Sequence, residues 1–243
     1  MLQRRARALM IGAILLVAAL AVVRVASRSD ASALPPGVTE QSFTAHGSAG
    51  DSRVTLIGVS LADARYQTRP MMTHGKRLSD LRAVAVIDGD FYNLQTGQPS
   101  GRLIIDGAVL SSSAAEPSIA LDGRTATITR YRRVSDVNVI SGKPRLIAGG
   151  ERVLDFTADG ATRMQDDAVV PRSAVAIRAD ELWLVACGEP GLTMTEWART
   201  LQSRGFQDAL NLDGGPSTGL VLGHRLLAGQ DAQVPTALVI VRR

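Results

Sequence analysis

Cys187 is the only cysteine in the 243-residue chain. One cysteine excludes an internal disulfide, so stability has to come from a buried core. Cys187 follows the apolar run Leu182-Trp183-Leu184-Val185-Ala186 and reads as a small buried hydrophobe rather than a nucleophile. Histidine is nearly as scarce. His46, His74 and His224 are scattered, which argues against a zinc site of the usual ligand spacing and leaves Cys187 without a neighbouring histidine. A basic surplus is also missing once the N-terminus is set aside. The chain carries 27 Lys and Arg against 23 Asp and Glu, but residues 1–33 hold five of those arginines and a single aspartate. The remainder is neutral. Nucleic acid is therefore not an expected partner, because such binding needs a basic footprint. Repeats and low-complexity tracts are absent as well.

The N-terminus has its own character. Arg4, Arg5 and Arg7 precede an uncharged apolar run from Ala8 to Val23. Residues 1–33 read as a secretory signal or a membrane anchor, with Ala31-Ser32-Ala33 as a small-residue cleavage site. The run is a little short of the roughly 20 residues that span a bilayer, although Arg24 can snorkel to the interface. Both outcomes stay open, and both place the following domain outside the cytoplasm, in a periplasmic or similar compartment. Residues 34–51, within a stretch rich in Ser, Ala, Gly and Pro, read as a linker. Residues 52–243 read as one folded domain, long enough to bury a core.

Within that domain, short apolar runs recur between turn residues. The expected fold class is α+β: a mixed or antiparallel sheet with Asp-Gly hairpins and a few packed helices. Asp106-Gly107 and Asp122-Gly123 lie between strand-like runs and read as hairpin turns. Two helices are expected. One is short, around Arg77–Leu81. The other spans 194–204, where Thr193 and Glu196 have capping-box spacing, Trp197 and Leu201 share a face, and Gly205 supplies a stop.

Two Asp-Gly pairs differ from the rest by the polar groups around them. The run Ala209-Leu-Asn-Leu212 leads into Asp213-Gly214-Gly215-Pro216-Ser217-Thr218, a tight turn with two glycines, two hydroxyls and a carboxylate. Such a turn suits an oxygen-rich ligand, and a strand end aims its carboxylate. The strand Ala83–Ile87 ends in Asp88-Gly89-Asp90, with Asn93 and Gly101 close behind. Arg172 abuts another strand, and its planar fork suits a carboxylate or phosphate; its other reading is a surface charge at a strand start.

In order, the segments Asp88-Gly-Asp-Phe-Tyr92, Thr96-Gly97 to Gly101 with Asp106-Gly107, Arg172-Ser-Ala174, Glu196 and Leu212-Asp-Gly-Gly-Pro-Ser217 resemble the phosphodiester glycosidase family, over roughly residues 52–241. Departures are visible. Asp88 stands where Asn is usual, Tyr92 where Phe is common, Ser173 where Thr is usual and Pro216 where a third Gly is usual. The closing Asp231-Ala-Gln-Val-Pro-Thr-Ala237 lacks the family's Arg. The resemblance implies an exported hydrolase that cleaves a glycosidic bond in a carbohydrate or sugar-1-phosphodiester of an envelope polymer or glycan.

Glycosidic cleavage needs an acid for the leaving oxygen and a carboxylate that activates water or attacks the anomeric carbon. Asp213 is the first candidate for that carboxylate and Asp88 or Asp90 the second. Glu196 is explained equally by catalysis and by the capping box. Arg172, Gly89, Asn93, Gly101, Gly214, Gly215, Ser217 and Thr218 are the candidate substrate contacts. No cofactor is expected, although the acidic pair Asp88 and Asp90 leaves a divalent cation open. Two other classes compete. A non-catalytic glycan-binding module would keep the fold and the glycine turns. A Mg²⁺-dependent phosphatase would use Asp88-Gly-Asp90 as a nucleophile motif after a strand.

Overall fold

The computed structural model describes residues 33–112, 116–130, 137–156, 158–159 and 167–243. The arginine-rich start and the apolar run to Val23 lie outside them. No helix of the described residues is long and apolar enough to cross a membrane. Residues Pro35–Arg243 make one unit.

The chain enters that unit through a long hairpin, β1 (Val38–Gly47) and β2 (Gly50–Ser60), followed by β3 (Tyr66–Met72), a 3-10 turn (Leu78–Asp80) and β4 (Ala85–Asp88). Short strands follow: β5 (Leu103–Ile105), β6 (Ala108–Ser111), β7 (Pro117–Leu121), β8 (Ala126–Arg130), β9 (Asn138–Ser141), β10 (Arg145–Ala148) and β11 (Glu151–Arg152). The last part contains β12 (Val170–Arg178), β13 (Glu181–Leu192), helix α1 (Met194–Ser203), β14 (Asp208–Asn211), a 3-10 turn (Gly215–Ser217), β15 (Gly219–Leu222), β16 (Arg225–Gly229) and β17 (Thr236–Arg242). Among the described residues these strands make three sheets, ordered β1-β2-β13-β12-β14-β10-β11, β16-β15-β4-β17-β3 and β6-β5-β9-β7-β8. The pairings within them are antiparallel.

Two expectations need correction here. The fold is sheet-rich rather than a balanced α+β, and α1 is the one complete α-helix among the described residues. The stretch around Arg77–Leu81 is only a 3-10 turn. Its apolar residues, Leu78 and Leu81, are three apart, so a single turn buries both. Residues 34–51 are not a linker. Val38 to Gly47 pairs with β2 in register along its whole length. β1 is an edge strand with one solvated side, so it needs few apolar residues and its Ser and Thr content mimics a loop. Asp106 and Gly107 connect the paired ends Ile105 and Ala108, while Asp122 accepts from the amides of Arg124 and Thr125 between β7 and β8.

The core has two main layers, and strand alternation sorts residues between them. On β13, Leu182, Leu184 and Ala186 face the layer shared by all three sheets, together with Ile87, Ile119, Ile140, Val175, Leu210, Leu220 and Leu238. Trp183, Val185 and Cys187 face the opposite layer, where α1 packs Trp197, Ala198 and Leu201. Burial on both faces explains why β13 reads as a continuous apolar run. Cys187 is fully buried as expected, and burial pushes its thiol up to about 12.

Candidate active site

β4 sits between β15 and β17, buried along its whole length, and ends at Asp88. The Asp88 carboxylate is itself fully buried and accepts three hydrogen bonds. Ser173 Oγ donates to Oδ2 at 2.6 Å, the Gly214 amide to Oδ2 at 3.2 Å and the Gly219 amide to Oδ1 at 3.1 Å. Ser173 belongs to the seven-stranded sheet and Gly219 opens β15, so one carboxylate joins two sheets and both ends of the Gly-rich turn. Burial pushes Asp88 up to about 7; the Ser173 bond opposes this and the charge of Asp213 adds to it. Asp88 is thus a clamp beneath the site, which corrects its reading as a catalytic carboxylate.

Asp213 is held above that clamp. It follows β14, and its amide donates to the carbonyl of Gly89 at 3.0 Å. Its side chain is partly exposed, unlike those of Asp88 and Asp90. Burial pushes it up to about 6, with a hydrogen bond from the Ser217 side chain pulling the other way. The turn that places it runs through Gly214 at φ 76° and Gly215 at φ 55°, left-handed backbone that a side chain would strain. Ser217 and Thr218 close the turn by donating their amides to the carbonyls of Gly214 and Gly215. Gly89 packs its Cα against Thr236 and donates its amide to the Thr236 carbonyl at 3.0 Å, so its part is to join two strands closely.

Asp90 lies at the third corner. Oδ1 accepts from the Phe91 amide at 2.8 Å, while Oδ2 is buried and has no hydrogen-bond partner. A Cβ on Gly101 would collide with Asp90 Oδ2, with Glu116 Oε2 at 2.5 Å and with Ser141 Cβ at 2.5 Å. Gly101 is therefore the gap that lets two carboxylates approach one another. Burial first, then the Glu116 charge, pushes Asp90 up to about 7. Glu116 Oε1 accepts from Lys143 Nζ at 2.9 Å. Asn211 Oδ1, Thr218 Oγ1 and Thr236 Oγ1 are also buried without a hydrogen-bond partner.

Asp88, Asp90 and Asp213 lie near enough to one another for the Asp213 charge to raise the other two. Arg172 is not brought to them. Ser173 points to Asp88, so its chain neighbour Arg172 points to the α1 face, beside Cys187 and Ala174. Its guanidinium donates to the carbonyls of Leu192 at 2.9 Å and Ala168 at 2.6 Å. Its backbone borders the Gly214 turn. Glu196 is a helix cap. Its two oxygens accept from the amides of Thr193 at 2.9 Å and Ser48 at 2.7 Å, and Thr193 Oγ1 accepts from the Glu196 amide. Burial raises Glu196, but these hydrogen bonds outweigh it and hold the carboxyl below its ordinary value. Asn93 is exposed, and its Oδ1 accepts from the amides of Gln95 and Thr96, which makes it a turn former.

The phosphatase reading needs Asp88 free to attack, whereas its carboxylate is buried and accepts three hydrogen bonds. Among the described residues no three His, Cys, Asp or Glu groups gather to hold a metal. Ser173, Glu116 and Lys143 were not among the expected site residues. Ser173 stood next to Arg172 in a recognised segment; Glu116 and Lys143 carry no motif at all.

Comparison with known proteins bears on the family and the fold. A family model described as phosphodiester glycosidase matches residues 81–241. No curated protein matches the chain. Among solved structures, a hypothetical protein from Synechocystis superposes with a TM-score of 0.77 at 20% identity, over 85% of this chain and 62% of its own. The present chain therefore spans less than two thirds of that protein. The catalytic domain of zebrafish N-acetylglucosamine-1-phosphodiester α-N-acetylglucosaminidase, auto-inhibited by its pro-peptide, superposes with a TM-score of 0.74 at 19% identity, over 86% of this chain and 85% of its own. A protein from Burkholderia pseudomallei described as exported gives 0.66 at 13% identity, over 79% and 74%.

Proposed function

The chain belongs to the phosphodiester glycosidase family, and we propose that it hydrolyses a glycosidic bond, most readily that of a sugar-1-phosphodiester, with Asp213 as the catalytic carboxylate. The observation that carries this reading is the contrast among the three clustered aspartates. Asp88 is sealed by three donors, Asp90 is buried, and Asp213 alone presents a carboxylate at the surface of the cluster. With burial pushing it only to about 6, Asp213 is ionised at neutral pH. It can then attack the anomeric carbon or take a proton from water. A phosphate leaving group departs with little acid assistance and asks mainly for hydrogen-bond donors.

The reading extends to setting. An arginine-rich start with an apolar run supports export, so an envelope polymer or extracytoplasmic glycan is the substrate class that fits. The test is direct: incubate the purified domain with α- and β-linked sugar-1-phosphodiesters and measure release of free sugar. Release that depends on Asp213 supports the proposal. Binding of these compounds with no release across the panel overturns it in favour of a glycan-binding module.

A further inference from the structure

Asp90 and Glu116 approach through the gap that Gly101 leaves, and each has one oxygen aimed at it. The outer oxygen of Glu116 is neutralised by Lys143 at 2.9 Å, and Lys143 itself lies over the Phe91 ring, 5.5 Å from its centroid. The inner oxygen of Asp90 is buried without a donor. Two carboxylate oxygens that face one gap repel unless a proton lies between them. We infer that Asp90 and Glu116 hold one proton in common, with Lys143 as the counter-ion of Glu116, and that this pair is the proton source for the leaving oxygen.

The inference rests on the hydrolase reading and adds the acid it lacked. The two members differ in access. Asp90 is 3% exposed, whereas the Glu116 side chain is 17% exposed. Asp90 is thus the reservoir, and Glu116 is the member that meets substrate. The proton balance is simple. When the anomeric C–O bond breaks, its electron pair goes to the leaving oxygen, which takes the shared proton. The water that replaces it loses a proton to Asp213, and exchange with solvent resets both. An acid of this kind widens the substrate class from phosphodiesters to glycosides whose leaving group is an alcohol. The charged groups that face Asp90 are Glu116 ahead of β7, Lys143 between β9 and β10, and Asp213 after β14. Removing Glu116 and removing Lys143 must therefore move Asp90 in opposite directions.

The experiment is an NMR titration of ¹³C-labelled aspartate carboxyls in the intact domain, which needs no substrate. The expected result is an Asp90 midpoint near neutrality that falls in Glu116→Gln and rises in Lys143→Met. An Asp90 midpoint in the ordinary range near 4, or shifts of the same sign in both variants, overturns the pair. Turnover is then compared on two substrates of one sugar. Glu116→Gln should slow the substrate with an alkyl alcohol leaving group roughly 10²-fold more than the one with a nitrophenolate leaving group. Equal slowing of both overturns the role as proton source. If the wild-type protein turns over nothing, the hydrolase reading fails and the proton-source role fails with it, while the titration still decides the shared proton.

Discussion

The amide of Asp213 donates to the carbonyl of Gly89 at 3.0 Å, and through this bond the turn after β14 is fastened to the loop after β4. The two strands belong to different sheets, so the bond sets the distance between Asp213 and the buried pair of Asp88 and Asp90. The backbone that carries the candidate catalytic carboxylate is thereby held by main chain.

Asp213→Asn should accordingly keep its place and lose its charge. The expected outcome is a folded protein with turnover reduced 10²–10⁴-fold, about 3–5 kcal/mol of barrier. Steady-state rates measured beside a thermal melt check this. Full activity in a folded variant would remove Asp213 from the reaction.

Asp88 predicts the opposite division of effects. Asp88→Ala leaves Ser173 Oγ and the amides of Gly214 and Gly219 without their acceptor, at roughly 1–3 kcal/mol for each donor that stays buried and unpaired. Asp88→Asn keeps one good acceptor and removes a buried charge, so its stability at neutral pH should lie close to the original. Chemical denaturation of both variants tests the contrast.

Stability should also depend on pH in a stated direction. Burial raises Asp88 and Asp90 to about 7 and Asp213 to about 6, whereas an unfolded aspartate titrates near 4. Between those values the folded chain holds protons that the unfolded chain has lost, so stability falls as pH rises from about 4 to about 7. Melting temperatures across this window should decline, and Asp88→Asn should flatten the decline. Rates give a second readout. Asp213 must be ionised and the Asp90–Glu116 pair protonated, so kcat/KM should form a narrow bell between these limits.

Much of this site was legible because it is local in sequence. Leu212-Asp-Gly-Gly-Pro-Ser217 declares a strand, a carboxylate and a left-handed turn within six residues. Asp88 and Asp90 were visible for the same reason, though which would be sealed and which left with a bare oxygen depended on distant donors. Arg172 was misplaced by the parity of one strand position, which sends Ser173 inward and its neighbour outward. Glu116 and Lys143 were invisible because β5, β7 and β9 bring them to Gly101 from separate parts of the chain. β1 was missed because an edge strand with a wet side carries little apolar signal.

Glu196 supplies the control for the site. Gln can replace Glu in a capping box, so Glu196→Gln should leave rates nearly unchanged. Thr193→Ala should cost about 1 kcal/mol of stability by removing the cap oxygen. Loss of turnover in a folded Glu196→Gln protein would return Glu196 to the chemistry.

The long N-terminal hairpin has a practical consequence. The family match begins at residue 81, but β2 is the neighbour that covers β13 over Glu181 to Cys187. A polypeptide started at the family boundary would leave the N–H and C=O groups along one edge of β13 unpaired, and an exposed edge on an apolar strand is a template for sticking to other chains. The segment that carries the inherited signature is shorter than the segment that pairs β13 on both of its edges. Expression trials begun at residue 81 should give aggregates, and those begun near Pro35 should not.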